Sequence, residues 1–431
     1  MESSPPPGRG AVRRSLHAAA VAAEERLDTA RHRLNTRLGR LRPRQIVPYR
    51  GFADSRGVEL TGRVLAQKQR GGPGETDTRW HNLLNTYRRF ETDEVPHAPL
   101  HVQFRGGSLD VVTDREGYYC ARFDTASAPC DALWDNATVS LADGTLATTQ
   151  PVLQVPDGPG IGVISDIDDT ILQSGITSWR TAAKLTFLHN ARTRKPLDGV
   201  AAFYQALQDG PDGAGRVPIF YVSSSPWNLY DLLEDFMELN AIPPGPIFLR
   251  DLGIDAGKFI KSRGHGHKLE RAARLIEHFP ERRWVLLGDS GQADAELYAE
   301  AAQRFGDRIV AIYIRDVDPG VESPRDVGVD AHIERVAGTG VPMMRAVDSM
   351  SMAEHAASLG LIAPSALEAI AREVQRDEQR PTLTEAAVEG AIEGDVAGDD
   401  PAEADGAVSR ALPADASGNE AESTGDDRAP R

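Results

Sequence analysis

Between residues 45 and 155 apolar and polar positions alternate in short runs, at 46–49, 58–65, 100–104, 109–112, 118–123, 138–141 and 152–155. A period of two places alternate side chains on one face, so these runs predict half-buried strands. Gly106-Gly107 and Asp114-Arg115-Glu116-Gly117 supply turns between them. Short strands separated by such turns predict a small all-β sandwich, interrupted at 80–89 by a short helix or a long loop. Beyond residue 160 the pattern changes. Continuous apolar runs at 161–164, 217–222, 246–249, 284–287 and 309–314 alternate with helical stretches such as 226–239 and 268–278. That alternation predicts an α/β unit, a Rossmann-like parallel sheet with helices on both faces. A helical segment at 346–376 closes it.

A third pattern precedes both. Leu16, Ala20, Ala23, Leu27, Ala30, Leu34, Leu38 and Leu41 recur every three or four positions, which predicts one apolar stripe on a helix. Arg26, Arg31, Arg33, Arg37, Arg40 and Arg42 occupy its other faces. Such a helix suits the surface of an anionic membrane, so residues 13–42 offer a peripheral membrane contact. It also suits packing on the body of the protein or pairing as a coiled coil, and its many alanines, which make the apolar face shallow, favour packing. The expected organisation is therefore a basic helical segment at 1–44, a β-sandwich at 45–155, an α/β domain at 156–376 and an acidic tail at 377–431.

Charge changes this picture only locally. The net charge of −16 is unevenly spread: residues 1–50 hold eleven Arg and four acids, whereas 381–431 hold three Arg and thirteen acids. The latter segment is rich in Ala, Gly, Asp and Glu, the composition of a disordered tail. Cys120 and Cys130 are too few for a disulfide framework and read as free thiols of a reducing compartment. No apolar run reaches the ~18 residues a membrane span needs. Arg13-Arg14-Ser15-Leu16 is a faint export signal whose apolar stretch is short and runs into Glu24-Glu25. A cytoplasmic protein with a peripheral membrane contact is expected. His81, His97 and His101 are scattered as ordinary surface histidines are.

The candidate chemistry gathers at the ends of the α/β strands. Residues 161–172, IGVISDIDDTIL, run from an apolar strand into Asp166-Ile167-Asp168-Asp169-Thr170. Ligands of open α/β sheets bind outside the carboxyl ends of the strands, and carboxylates packed this closely favour a bound cation. Ser223-Ser224-Ser225 follow a second strand, Lys268 opens a helix after 263–267, and Asp289 and Asp294 follow the strand at 284–287. Together these groups fit phosphoryl transfer to water. Asp166 and Asp289 hold a hard cation such as Mg²⁺. Lys268 places a point charge on the phosphoryl oxygens, and Ser223 with nearby N–H groups adds neutral donors. A carboxylate nucleophile and a second carboxylate as acid and base complete the set.

The four motifs in this order resemble the haloacid dehalogenase superfamily of phosphohydrolases. The resemblance implies that Asp166 is the nucleophile, Asp168 the acid/base, Ser223 the motif hydroxyl, Lys268 the motif lysine, and Asp289 and Asp294 the acids of the last motif. An acid at position 168 implies a phosphatase. More closely, SDIDDTIL, YVSSSPWNLYDLL, FLRD, HK, FP, LLGDSGQAD and IYIRDV, spread over about residues 150–345, resemble the catalytic domain of the actin-patch phosphatidate phosphatases. This implies a Mg²⁺-dependent enzyme that releases phosphate from phosphatidate and leaves diacylglycerol. The implied site has Asp166, Asp168 and Lys268 as catalytic residues. Ser223, Ser224 and Lys268 bind phosphate, and Asp166, Asp168, Asp289 and Asp294 serve the metal.

Alternatives stay open at several positions. Ser224 or Ser225 could replace Ser223 as donor, with one of them capping the following helix. Lys258 or Lys261 could replace Lys268, Asp289 could be a helix cap and Asp294 a surface acid. His265, His267 and Arg250 are weaker phosphate contacts. Residues 173–200, with Trp179, Leu185, Phe187 and Leu188, stand where the superfamily has a flap over the site. No large cap insertion separates the strand at 246–249 from Lys268, so an open site is expected. The same chemistry could serve a protein, nucleic acid or soluble metabolite, although no nucleic acid is expected as partner. A scaffold with a vestigial site is the reading from another class.

Overall fold

The computed structural model describes residues 43–66, 93–126, 132–168, 170–171, 197–250, 266–291, 293–317 and 323–379. The expected helix at 16–41, the stretch at 80–89, Cys130, Asp169, the flap region 173–196, the loop carrying Lys258, Lys261 and His265, and the acidic tail lie outside them.

Nine strands build the first sheet: β1 (Arg44–Pro48), β2 (Gly51–Asp54), β3 (Gly57–Ala66), β4 (Asp93–Glu94), β5 (Pro99–Phe104), β6 (Gly107–Val112), β7 (Tyr118–Phe123), β8 (Trp134–Leu141) and β9 (Ala147–Gln154). Their order is β1-β3-β2-β9-β8-β5-β6, with β4 and β7 paired to β3. All pairings are antiparallel except β2 with β9. The alternation in sequence becomes alternation of burial: Val58, Leu60 and Val64 of β3 and Leu100, Val102 and Phe104 of β5 point into one core with Val139 and Leu141. The all-β domain is a single mixed sheet that curls into a half-barrel, bringing β6 against β7.

The second sheet is parallel and six-stranded, in the order β12-β11-β10-β13-β14-β15. Its strands are β10 (Gly160–Ser165), β11 (Ile219–Pro226), β12 (Ile247–Arg250), β13 (Arg282–Asp289), β14 (Ile309–Arg315) and β15 (Met343–Ala346). A parallel sheet buried on both faces needs continuous apolar strands, which explains the unbroken runs in sequence. Ile219 and Tyr221 face one core with Val163, Val285 and Tyr313. Phe220 and Val222 face the other with Ile164, Leu286 and Ile312. The first core is covered by α1 (Val200–Asp209), α2 (Tyr230–Leu239), α6 (Ser349–Ser358) and α7 (Ala366–Glu378). The second is covered by α3 (Gly266–His278), α4 (Asp294–Phe305) and α5 (Pro324–Ala337). Gly162 is required at the middle of β10, because a Cβ there would lie 2.6 Å from the Trp284 ring.

Local details depart from expectation. The helix anticipated from 226 starts at Tyr230: the chain stays extended through Pro226 and then makes a 3-10 turn at Trp227–Leu229. The helical segment at 346–376 is two helices, separated by a turn in which Gly360 adopts φ 68°. Among the described residues no helix is long and apolar enough to cross a membrane.

Candidate active site

The candidate residues converge where β10, β11 and β13 end. Asp166 directly follows β10 and is fully buried; its N–H donates to the Leu287 carbonyl at 2.9 Å. The turn is braced from beneath. Ser165 Oγ donates to the Asp166 carbonyl at 2.6 Å and lies 2.6 Å from the buried Tyr204 hydroxyl of α1. Lys268, in the first turn of α3, reaches under the same point. Its Nζ is 2.8 Å from Asp166 Oδ1 and 2.9 Å from Asp294 Oδ1, with the lysine only 1% exposed.

Asp289 is the last residue of β13, and Asp294 the first of α4. Gly288 makes their juxtaposition possible: a Cβ there would come 2.7 Å from Asp294 Cβ. Asp294 folds back so that its Oδ2 accepts the Asp289 N–H at 3.3 Å. The cap position of α4 is Ala293, so Asp289 is not spent on capping that helix. Nor is Asp294 a surface acid, being fully buried.

Electrostatics make this cluster unusual. Asp166, Asp289 and Asp294 are each 0% exposed and each offers a carboxylate oxygen within 4.8 Å of the others. Burial pushes the Asp166 carboxyl well above its ordinary range. Lys268 pulls it back, and repulsion from Asp294, Asp289 and Asp168 adds to the rise. Burial opposes the charge on Lys268, but Asp166, Asp294 and Asp289 outweigh it and hold the ammonium above its ordinary value. One lysine thus faces three buried acids. Asp166 Oδ2 has no hydrogen-bond partner among the described residues. Leaving a buried charged oxygen unsatisfied is costly, and an all-oxygen donor set with excess negative charge fits a hard divalent cation. Among the described residues, these three aspartates could hold a metal.

Asp168 stands apart from the three. It is half-buried at the rim, and its Oδ2 accepts hydroxyls from Ser223 at 2.8 Å and Ser225 at 3.2 Å. Ser223 Oγ in turn accepts the Ser225 N–H at 2.9 Å. Ser223 is fully buried and Ser224 half-buried. Neither Ser224 nor Ser225 caps the next helix, whose cap position is Leu229. Arg250, at the end of β12, pairs through its backbone with Pro226 and so lies beside this segment. Sequence reasoning overlooked Tyr204 and the Ser225–Asp168 bond. Tyr204 falls in an ordinary amphipathic helix, and nothing in its local pattern marks it.

Residues 161–316 match the family described as "Phosphatidate phosphatase APP1, catalytic domain". Phosphatidate phosphatase APP1 of Saccharomyces cerevisiae is 39% identical over 157 residues, covering 36% of this chain and 26% of that protein. An uncharacterised protein of Schizosaccharomyces pombe is 31% identical over 169 residues, covering 39% of this chain and 26% of that protein. The chain thus spans about a quarter of the length of these curated relatives. Among solved structures, a carbohydrate acetylesterase from Xanthomonas citri aligns over 74% of this chain and 75% of its own at 12% identity. Its TM-score of 0.26 carries no argument. The matched segment contains every residue of the buried cluster, each at a strand end or in the helix turn beside it, and residues 161–316 are similar to the catalytic domain of the APP1 phosphatidate phosphatases.

Proposed function

We propose that the protein is a Mg²⁺-dependent phosphomonoester hydrolase acting on phosphatidate at a membrane surface. The observation that carries this reading is the under-neutralised cluster of Asp166, Asp289 and Asp294 around Lys268, with Asp168 at the rim above it. Phosphoryl transfer depends chiefly on positioning and on charge placed against the phosphoryl oxygens. Asp166, Asp289 and Asp294 would hold Mg²⁺, which would supply part of that charge and offset the repulsion between the site's acids and an anionic substrate.

The chain's own groups do the rest. Asp166 attacks phosphorus, forming an aspartyl-phosphate as the ester P–O bond breaks. Asp168 gives its proton to the leaving oxygen, which departs as the hydroxyl of diacylglycerol. It then takes a proton from water as that water attacks the aspartyl-phosphate, releasing phosphate and restoring Asp166. Its half-buried position lets it exchange protons with solvent between turnovers. The hydroxyls of Ser223 and Ser225 fix its orientation at rest and serve as donors to the phosphoryl oxygens. Lys268 favours the ionised form of Asp166 against its burial and holds it in place. A peripheral membrane contact through residues 13–42 would bring the site to its lipid.

The test is Mg²⁺-dependent phosphate release from phosphatidate vesicles beside a panel of soluble phosphomonoesters, with Asp166→Asn as the blank. Release from vesicles that is absent from the blank supports the reading. Release confined to soluble or macromolecular phosphates keeps the mechanism and removes the substrate.

A further inference from the structure

The Ser223 segment is poorly held by its own sheet. Regular pairing of β11 with β12 covers Tyr221 with Ile247 and Val222 with Phe248, and resumes only at Pro226 with Arg250 after a register shift. Residues 223–225 therefore bulge out of the ladder, and something else must fix their exit. Two residues beyond Ser225 stands Trp227, and it is gripped by the other domain. The Tyr49 ring, from the corner between β1 and β2, stacks on Trp227 at 5.1 Å and 16°, and lies 4.0 Å from the Tyr230 ring. Trp227 also stacks on Tyr230 at 6.1 Å, and Tyr118 of β7 approaches it at 6.4 Å. The Arg50 N–H donates to the Tyr230 hydroxyl at 2.7 Å, and Arg50 Nη1 meets Glu234 Oε1 at 2.6 Å. Tyr49 is anchored in turn. Its N–H donates to the Thr61 carbonyl at 3.0 Å and its carbonyl accepts Gln150 Nε2 at 2.6 Å, both within the β-domain.

The same corner also reaches the opposite face of the parallel sheet. Phe52 packs edge-on against Phe220 at 5.6 Å and Phe248 at 6.4 Å, close to Phe279 and His278. Tyr49 and Phe52 are comparably buried. Of these two rings, Tyr49 packs on the residues that follow the bulge and Phe52 on those that precede or flank it.

We propose that Tyr49 and Arg50, which lie outside the matched catalytic segment, are positioning residues for residues 223–225, so that the β-domain completes the phosphate-binding site. The inference rests on the reading of that segment as a phosphate-binding loop. It treats the all-β domain as part of the catalytic unit rather than as an appended module.

The test measures binding of inorganic phosphate to the full chain in Mg²⁺ buffer by calorimetry. Tyr49→Leu removes the stack, Tyr49→Phe keeps it, and Phe52→Leu loosens the same junction on the far face. Tyr49→Leu is expected to weaken phosphate about tenfold, since small displacements of binding groups are costly, while Tyr49→Phe restores wild-type affinity. Phe52→Leu is expected to lower the melting temperature with phosphate affinity unchanged. Should Tyr49→Leu fail to fold, Tyr118→Leu, at the half-buried rim of the same stack, is expected to weaken phosphate about threefold. Equal loss of affinity in the variants of both faces, or no loss in either, overturns the proposal. A wild-type chain that binds no phosphate overturns the reading of the loop itself, and the proposal with it.

Discussion

Two clusters of three aspartates around a single cation lie near the carboxyl ends of the parallel strands, and they solve the same problem in opposite ways. In one, Lys268 faces Asp166, Asp294 and Asp289. In the other, Arg345 of β15 faces Asp316, Asp326 and Asp330. Its Nη1 is 2.9 Å from Asp316 and 3.1 Å from Asp326, and its Nε is 3.3 Å from Asp330. Asp166 and Asp326 are both fully buried, yet their acidities move apart. Burial drives Asp166 up. Asp326 is held below its ordinary range, first by the Ser323 backbone N–H at 2.8 Å, then by the Ser323 hydroxyl and Arg345, against the cost of burial. It closes a capping box at the start of α5, where the helix N-terminus favours a negative charge. Asp330 is more than half exposed and water serves it. In the second cluster hydrogen bonds and Arg345 outweigh the burial of Asp326, whereas in the first, where one lysine faces three buried acids, burial dominates Asp166. Acid count does not separate the two clusters; the balance of burial against hydrogen bonding at each acid does.

The largest effect that can break this comparison is on turnover. Asp166→Asn is expected to lower phosphate release at least about a thousandfold, as loss of a nucleophile does, while the melting temperature of the metal-free protein does not fall. A clear fall would mean that the carboxylate stabilises the apo fold. Lys268→Met should come next, costing about 3–5 kcal/mol in urea unfolding without divalent cation, because it strands buried carboxylates; Mg²⁺ should return part of that loss. Arg345→Met should cost about 2 kcal/mol with turnover unchanged, since its acids keep the helix N-terminus and water. The smallest effect is on pH dependence. The lowered pKa of Asp326 contributes stability that is present above the ordinary carboxylate range and is lost as pH falls through it. Unfolding midpoints taken from about pH 6 down to about pH 3 should therefore fall less steeply in Asp326→Asn than in the wild type.

Much of the candidate site was legible because it follows from local pattern. The apolar runs before Asp166 and Asp289 mark buried parallel strands, and the carboxyl ends of such strands are where side chains meet. Lys268 was legible from its place at a helix start. What escaped depends on contacts between segments distant in sequence. Tyr204 supports Ser165 from another helix, and Tyr49 reaches Trp227 across the domain junction. Neither leaves a periodicity. The late start of α2 escaped because Ser224 and Ser225 read as helix caps, whereas the chain remains extended and Ser225 binds Asp168. The short strands β2 and β15 hold too few residues for alternation to stand out.

The central claim is that the Asp166 cluster, unlike the Arg345 cluster, binds a divalent cation beside its lysine. Titration of Mg²⁺ into wild type, Asp289→Asn and Arg345→Met, followed by calorimetry, tests it most directly. The account predicts saturable binding to wild type and to Arg345→Met at the same affinity, weakened at least about tenfold in Asp289→Asn, where a carboxylate ligand is lost. Binding that survives Asp289→Asn unchanged, or that is lost in Arg345→Met instead, would contradict it.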